Sequence, residues 1–266
     1  FRRVLFRSGG FMEVNIFGEG AVGYKNIVKS SSSQDFFLYK KYKNYAVCTV
    51  ADGHSMDVFK YSHIGSYLAC QSVFEILKTY KLNEDIEKGE QNFICDLKNK
   101  KVQNDIKNKW RDLVYREFYK RNYKVYKLDY MLFGTTLSFV IFLKEYIVFF
   151  NLGDSTILIK EDKDYVNVFK NNNFKFVNSL ALYNCEEKMQ YSILKMNKDF
   201  KLVISTDGFI NSFETYHKLK SELDRTFQIL EKDIFSNRYL RNIYKKHLSN
   251  ISKYGSKDDI SIIYIY

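Results

Sequence analysis

Proline is absent from all 266 residues, and tryptophan occurs once. Lys, Asn, Ile and Tyr are heavily used, a pattern of AT-rich codons, so the abundance of lysine is a weak functional clue. Cysteine is sparse: Cys48, Cys70, Cys95 and Cys185 lie far apart without paired metal-ligand spacing. Four scattered cysteines in a chain of this size read as reduced thiols, the expectation for a cytoplasmic or nuclear protein. No apolar run reaches membrane-spanning length, and none near the start has the form of a secretory segment, so no membrane partner is expected.

What the chain does contain fits one large domain. With 45% apolar residues, 22 Tyr and 23 Phe it can bury a substantial core, and disorder is excluded. The net charge of +11 would permit nucleic-acid or membrane-surface binding. No Arg/Lys cluster with interleaved aromatics sits on an identifiable binding motif, so no nucleic-acid partner is expected. Arg2, Arg3 and Arg7 crowd into the first stretch, and residues 1–11 read as a non-native leader ahead of Met12. Without those three arginines the charge is 11 − 3 = +8. Glu13 after Met12 does not fit the N-myristoylation pattern.

Residues 45–54 organise the rest. The apolar run Tyr45, Ala46, Val47, Cys48, Thr49, Val50, Ala51 stops abruptly at Asp52, Gly53 and His54, as a buried strand delivering a carboxylate to a sheet edge would. A single Asp-Gly after a strand is ordinarily a turn. The arrangement recurs, however: Gly153, Asp154 and Ser155 follow one apolar run, Thr206, Asp207 and Gly208 follow another, and Asp258 and Asp259 precede the last. Four acids at strand ends, in this order, are poorly explained as unrelated turns.

With Gln34 and Asp35 early in the chain, and Gly134, Thr135 and Thr136 in its middle, these motifs resemble those of the metal-dependent protein serine/threonine phosphatases of the PPM (type 2C) family. The resemblance runs from about residue 18 to residue 266. It implies an α+β architecture of four layers, a central antiparallel β-sandwich flanked by helix pairs, in one domain spanning residues 12–266. It implies hydrolysis of phosphoserine and phosphothreonine in proteins by a water activated between two ions, Mg²⁺ or Mn²⁺, with a third ion in some members. Oxygen ligands favour those ions over zinc. By the resemblance Asp52 would bridge both ions, Asp207 and Asp258 would hold one, and the Gly53 carbonyl would help hold the other. Gln34 and Asp35 would act through metal-bound waters, Asp154 would share a third site with Asp207, and His54 would be the general acid for the leaving oxygen.

Three departures from the family pattern bear on activity. The phosphate-binding Arg expected five residues before Asp35 is Ser30, with Lys29 one residue earlier; Lys29 is the candidate phosphate contact, offering a point charge without a bidentate fork. Ser55 and Met56 follow His54 where small residues are usual. The family's flap, with its Asp-His pair and Arg-containing segment, has no clear counterpart, and Asn178, Ser179 and Leu180 occupy roughly its end, so a shortened flap is expected. The competing reading is a pseudophosphatase that keeps the fold as a binding or regulatory module. Asp52, Asp207 and Asp258 all remain, which favours the enzyme.

Periodicity supplies the remaining expectations. Residues 58–80 and about 102–123 carry apolar residues at helical spacing, as do two stretches within 218–251 broken near Ser236. Residues 81–101 are polar, with Gly89 as a break, and read as a surface connection. Residues 139–150 read as a hairpin, with a second hairpin formed across Gly153 and Asp154, and 189–206 as another strand pair. The final run from Ile260 reads as a buried strand.

Overall fold

A computed structural model describes residues 14–121, 127–169, 177–196, 200–232 and 237–266. The leader, residues 122 and 123 of the second helical stretch, the three asparagines at 171–173, residue 197 of a predicted strand and the break at Ser236 lie outside those residues. In chain order the strands are β1 (Ile16–Ala21), β2 (Phe36–Lys41), β3 (Ala46–Ala51), β4 (Leu137–Phe142), β5 (Tyr146–Leu152), β6 (Thr156–Glu161), β7 (Asp164–Asn167), β8 (Gln190–Lys195), β9 (Leu202–Ser205) and β10 (Ile260–Ile265). The helices are α1 (Tyr24–Val28), α2 (Ser62–Thr79), α3 (Ile86–Lys98), α4 (Lys101–Arg121), α5 (Asp207–Ile210), α6 (Tyr216–Glu231) and α7 (Asn237–Tyr254).

The strands form two five-stranded antiparallel sheets, ordered β1-β10-β9-β6-β7 and β2-β3-β4-β5-β8. Their central strands are apolar almost throughout because both faces are covered. Side chains alternate between two cores. Val47, Phe139, Ile141, Val148 and Phe150 face α2, α3 and α4, joined by Phe93, Leu97, Trp110 and Val114. Ala46, Cys48, Val50, Val140, Phe142 and Phe149 face the other sheet and meet Ile157, Ile204, Ile263 and Ile265. On the far side Ile260, Ile262 and Tyr264 pack against Leu219, Leu223 and Phe227 of α6 and Tyr244 and Leu248 of α7. The result is four layers with three apolar cores, as expected. No helix among the described residues is long and apolar enough to cross a membrane.

Three sequence expectations are corrected. Residues 86–98 are helical, not a surface connection: Asp85 caps the helix by accepting from the Lys88 N–H, and Phe93 and Leu97 are fully buried. The few apolar residues of this stretch all face one side, so mean polarity concealed an amphipathic helix. The Gly153–Asp154 turn does not close a second hairpin, because β5 pairs with β4 and β8 whereas β6 pairs with β7 and β9 in the other sheet. Gly153 has φ of +117°, a conformation that any side chain would strain, and the chain changes sheets there. Strands β8 and β9 likewise belong to different sheets and are not a pair.

Candidate active site

The acids converge at one end of the sandwich, where β3, β9 and the approach to β10 stop. Asp52 leaves β3 held on both backbone sides by the Gly134-Thr135-Thr136 segment. Its N–H donates to Thr136 Oγ1 at 2.9 Å, and its carbonyl accepts from the Thr136 N–H at 2.8 Å and Thr135 Oγ1 at 2.9 Å. Thr135 is anchored in turn, its N–H donating to Ser179 Oγ at 3.1 Å. The two threonines therefore serve to aim Asp52, and Ser179 and Leu180 brace them.

Asp207 opens α5 directly after β9, and its carboxylate accepts from Asn211 Nδ2 at 3.0 Å while making a side-chain hydrogen-bond contact with Asp52. Asp35 reaches the same end of the sandwich, its Oδ2 accepting from Thr206 Oγ1 at 2.6 Å. Burial, and then the neighbouring charges of Asp35 and Asp207, push the Asp52 carboxyl well above the usual carboxylate range. Burial and the Asp259 charge do the same to Asp35, and burial raises Asp207. Asp154, exposed at the rim, is raised to about 6 by the surrounding protein and then by the Asp207 charge. Carboxylates that raise one another in this way are short of positive charge.

His54 packs its ring 4.7 Å from that of Phe59, and its backbone N–H donates to the Gly134 carbonyl at 3.2 Å. Burial pushes its imidazole down to about 4, so it is neutral at physiological pH. Gly53 forms an isolated bridge with Thr135, and its N–H donates to the Gln34 carbonyl at 3.2 Å. The Gln34 amide is engaged structurally: its Nε2 donates to the His54 carbonyl at 2.9 Å and to Ser62 Oγ at 2.8 Å. Gln34 thus ties the loop after His54 to the start of α2.

Asp258 carries a feature the sequence did not expose. Its Oδ1 lies 2.6 Å from Lys25 Nζ, on α1. Burial works against the lysine's charge, but the hydrogen bond and charge of Asp258 prevail and raise its pKa. Asp259 holds α1 in place. Its Oδ1 accepts from the Gly23 N–H at 2.6 Å, and its Oδ2 from Asn26 Nδ2 at 2.8 Å and the Gln34 N–H at 2.7 Å. A Cβ on Gly23 would lie 2.3 Å from the Asp258 carbonyl carbon, so only glycine permits this approach. Lys29 lies at the end of α1, exposed, with no side-chain hydrogen bond or ion pair among the described residues. The structure therefore groups Asp35, Asp52, Asp154, Asp207, Asp258 and Lys25, places His54 beside them and leaves Lys29 in solvent.

No group of three or more His, Cys, Asp or Glu side chains among the described residues is already arranged to hold a metal ion. The donor chemistry nonetheless fits hard divalent cations. The groups are oxygen donors from four separate segments, mutually destabilised as anions, and one of them has recruited a lysine in compensation.

Comparison with known proteins agrees with this geometry. The serine/threonine phosphatase of S. agalactiae superposes with a TM-score of 0.60 at 16% identity, over 96% of this chain and 99% of that one. PppA of Pseudomonas aeruginosa gives 0.59 at 13% identity, over 96% and 98% of the two chains. The catalytic domain of the phosphatase PstP, solved with two manganese ions, gives 0.58 at 10% identity, over 95% and 97%. At such identities these likenesses establish the fold alone. No curated protein matches the sequence. The family profile described as Protein phosphatase 2C matches residues 22–249, a span from just before Gly23 through most of α7. With that match over most of its length, the chain belongs to the protein phosphatase 2C family.

Proposed function

We propose that this protein hydrolyses phosphoserine and phosphothreonine in proteins, with two Mg²⁺ or Mn²⁺ ions, and that residues 12–266 form the catalytic domain. The observation that carries this reading is the meeting of Asp35, Asp52, Asp207 and Asp258, from four segments, at one end of the sandwich with their charges uncompensated except by Lys25. When bound, such cations would lower the pKa of a water and neutralise the phosphoryl oxygens. Asp52, Asp207 and Asp258 would hold them, with the Gly53 carbonyl; Asp35 would act through ordered water, and Asp154 would serve a third ion.

The other roles follow from position. His54 would protonate the departing seryl or threonyl oxygen from its imidazolium form; burial alone keeps the ring neutral, and the negative charge of a phosphate beside it would raise its pKa and so the fraction that carries a proton to give. Lys29, exposed at the end of α1, would supply a point charge to the phosphate. Lys25 is the better placed cation, because it already stands among the carboxylates.

That same ion pair favours a second reading, a pseudophosphatase whose Lys25 replaces a metal at Asp258 and whose fold serves binding or regulation. Hydrolysis of an aryl phosphate and a phosphothreonine peptide, with and without excess Mn²⁺, separates the two. Turnover that depends on Mn²⁺ and disappears in Asp52→Asn and Asp207→Asn supports the enzyme. A folded protein that binds Mn²⁺ without turnover is the outcome that sinks it.

A further inference from the structure

Helix α7 contains no acidic residue in its 18 positions, and its two faces differ. Tyr244, Leu248 and Ser252 are buried, and Leu240 and Ile251 pack on the same core. Arg241 also turns inward: one guanidinium nitrogen donates to the Gly18 carbonyl at 2.9 Å, and the other to the Tyr39 hydroxyl. His247 is held by Glu222 at 2.7 Å. Exposed on the described part of the helix are Asn242, Lys245, Lys246, Asn250 and Lys253, together with Tyr239, Ile243 and Tyr254 at 53%, 46% and 81%.

Its neighbour α6 shows that this charge is not simply typical of the layer. There Lys218, Lys220, Asp224 and Glu231 each have an ion-pair partner in Glu214, Asp164, Lys160 and Lys201. Among the described residues, Lys245, Lys246 and Lys253 have none. The basic face also leads to the acid site. Lys253 Nζ lies 5.6 Å from the ring centroid of Tyr24 on α1, the helix whose Lys25 touches Asp258, and Ser252 Oγ donates to the Asp258 carbonyl at 2.8 Å.

From this continuity of unneutralised cations with the cleft, we infer that the outer face of α7 docks an acidic segment of the phosphoprotein substrate. Lysines supply the long-range attraction, and Tyr239, Ile243 and Tyr254 supply apolar contact for the residues between the acids. An 18-residue helix is about 27 Å long, which an extended segment of roughly eight residues spans. The inference rests on the phosphatase reading, which explains why an acidic chain should be led to this end of the molecule. Charge complementarity is the argument for an acidic peptide as the occupant: Lys245, Lys246 and Lys253 lie along one helix together with the exposed apolar side chains of Tyr239, Ile243 and Tyr254.

Two measurements test docking and catalysis separately. The first is fluorescence anisotropy of a labelled, unphosphorylated six-glutamate peptide added to the full protein. Saturable binding is expected, weakened about tenfold between 50 and 200 mM NaCl as screening increases, several-fold weaker in Lys246→Glu and lost in the triple Lys245→Glu, Lys246→Glu, Lys253→Glu. A circular-dichroism melt of each variant confirms folding. No saturable binding, or equal binding by the folded triple variant, would overturn the proposal, as would tighter binding of a single-stranded RNA or of phosphatidylserine vesicles. The second measurement is kcat/KM for a phosphothreonine peptide with a six-glutamate tail, relative to the same peptide with a serine-glycine tail. The ratio is expected to be about ten in the wild type, through KM, and near one in the triple variant; a ratio of one in the wild type overturns docking. Peptide binding without hydrolysis of either substrate would support the docking surface and overturn the phosphatase reading.

Discussion

The two halves of the cleft are built differently. On one side Asp52 and Asp207 sit at the ends of β3 and β9, and the bonds that aim Asp52 come from backbone and threonine hydroxyls of the adjoining β4 segment. On the other side α1, only five residues long, is tied to the stretch before β10 by polar bonds: Asp259 accepts from Gly23 and Asn26, Ser252 Oγ from the Tyr24 N–H, the Lys257 carbonyl from the Lys25 N–H, and Asp258 pairs with Lys25. The first half inherits its rigidity from the sheets. The second depends on a few polar bonds made by residues 252–259, and it carries Ser30 at the place where the resemblance to the family leads one to expect a phosphate-binding arginine. A carboxylate cage can therefore persist while the substrate side is remodelled around Lys25.

Substitutions in the sheet-borne half should have the largest catalytic effect. Asp52→Asn removes the acid proposed to bridge both cations but leaves its backbone clamp, so Mn²⁺-dependent hydrolysis of a phosphothreonine peptide is expected to fall by about 10³-fold or more. The melting temperature without metal should hold or rise, because one uncompensated anion has gone; a large loss of stability would show that Asp52 is structural. His54→Gln divides the substrates. A general acid contributes about 10²- to 10⁴-fold where the leaving oxygen needs a proton. The phosphothreonine peptide should slow by about 10²-fold, and an aryl phosphate with a good leaving group only a few-fold. Equal losses on both would remove His54 from the proton-transfer role.

The contrast between the halves also marks what could be read in the sequence. Asp52, Asp154 and Asp207 were legible because each interrupts or follows an apolar strand, and the strand is the strongest periodic signal in the chain. The two-sided burial of β3, β4 and β10 was visible in their unbroken apolar runs. Lys25 was not legible: it lies in an unremarkable polar stretch, and only the packing of Gly23 against Asp258 brings it to the acids. Asp259 was visible as the second acid of a pair, but its task depends on donors more than 200 residues away. The sheet change at Gly153 was misread because a hairpin and a crossover begin with the same glycine turn, and only strand pairing distinguishes them. Helix α3 was missed because Phe93 and Leu97 are outnumbered by charged neighbours, although Asp85 supplied a cap signal.

The weaker half can be loosened by degrees. Asp259→Ala leaves three buried or partly buried N–H donors without their acceptor and is expected to cost about 3 kcal/mol in chemical denaturation. Asp259→Asn keeps a carbonyl acceptor but turns an NH₂ toward N–H donors, so it should cost roughly half as much. In both variants KM for a phosphothreonine peptide should rise more than kcat falls, because α1 carries Lys25 and Lys29 while the proposed metal ligands Asp52 and Asp207 stay on the other half. A fall in kcat alone would place the effect of Asp259 on Asp258 and the cations instead.

The smallest expected effect is on thermal stability, and it distinguishes repelling carboxylates from cation-filled ones. The carboxyls of Asp35, Asp52 and Asp207 are raised in the folded protein, so they bind protons there more readily than in the unfolded chain. Their stabilising contribution is present below the unfolded pKa and is lost as pH rises through the folded values. His54 works in the opposite sense: depressed to about 4, it contributes stability above its unfolded value of 6.5 that is lost as pH falls toward 4. Above the range in which His54 titrates, the raised acids set the slope, so in EDTA the melting temperature should fall with rising pH, by roughly 5 °C if about one to two kcal/mol is involved. Saturating Mg²⁺ should raise the melting temperature most at pH 8.5 and flatten the slope, since the cation binds the ionised folded state. Lys25→Met should steepen the slope in EDTA by removing the cation paired with Asp258, and should lose that excess in Mg²⁺. A slope in EDTA that neither Mg²⁺ nor Lys25→Met altered would mean that the acids are already compensated, and that the two halves of the cleft do not differ in charge as their geometry indicates.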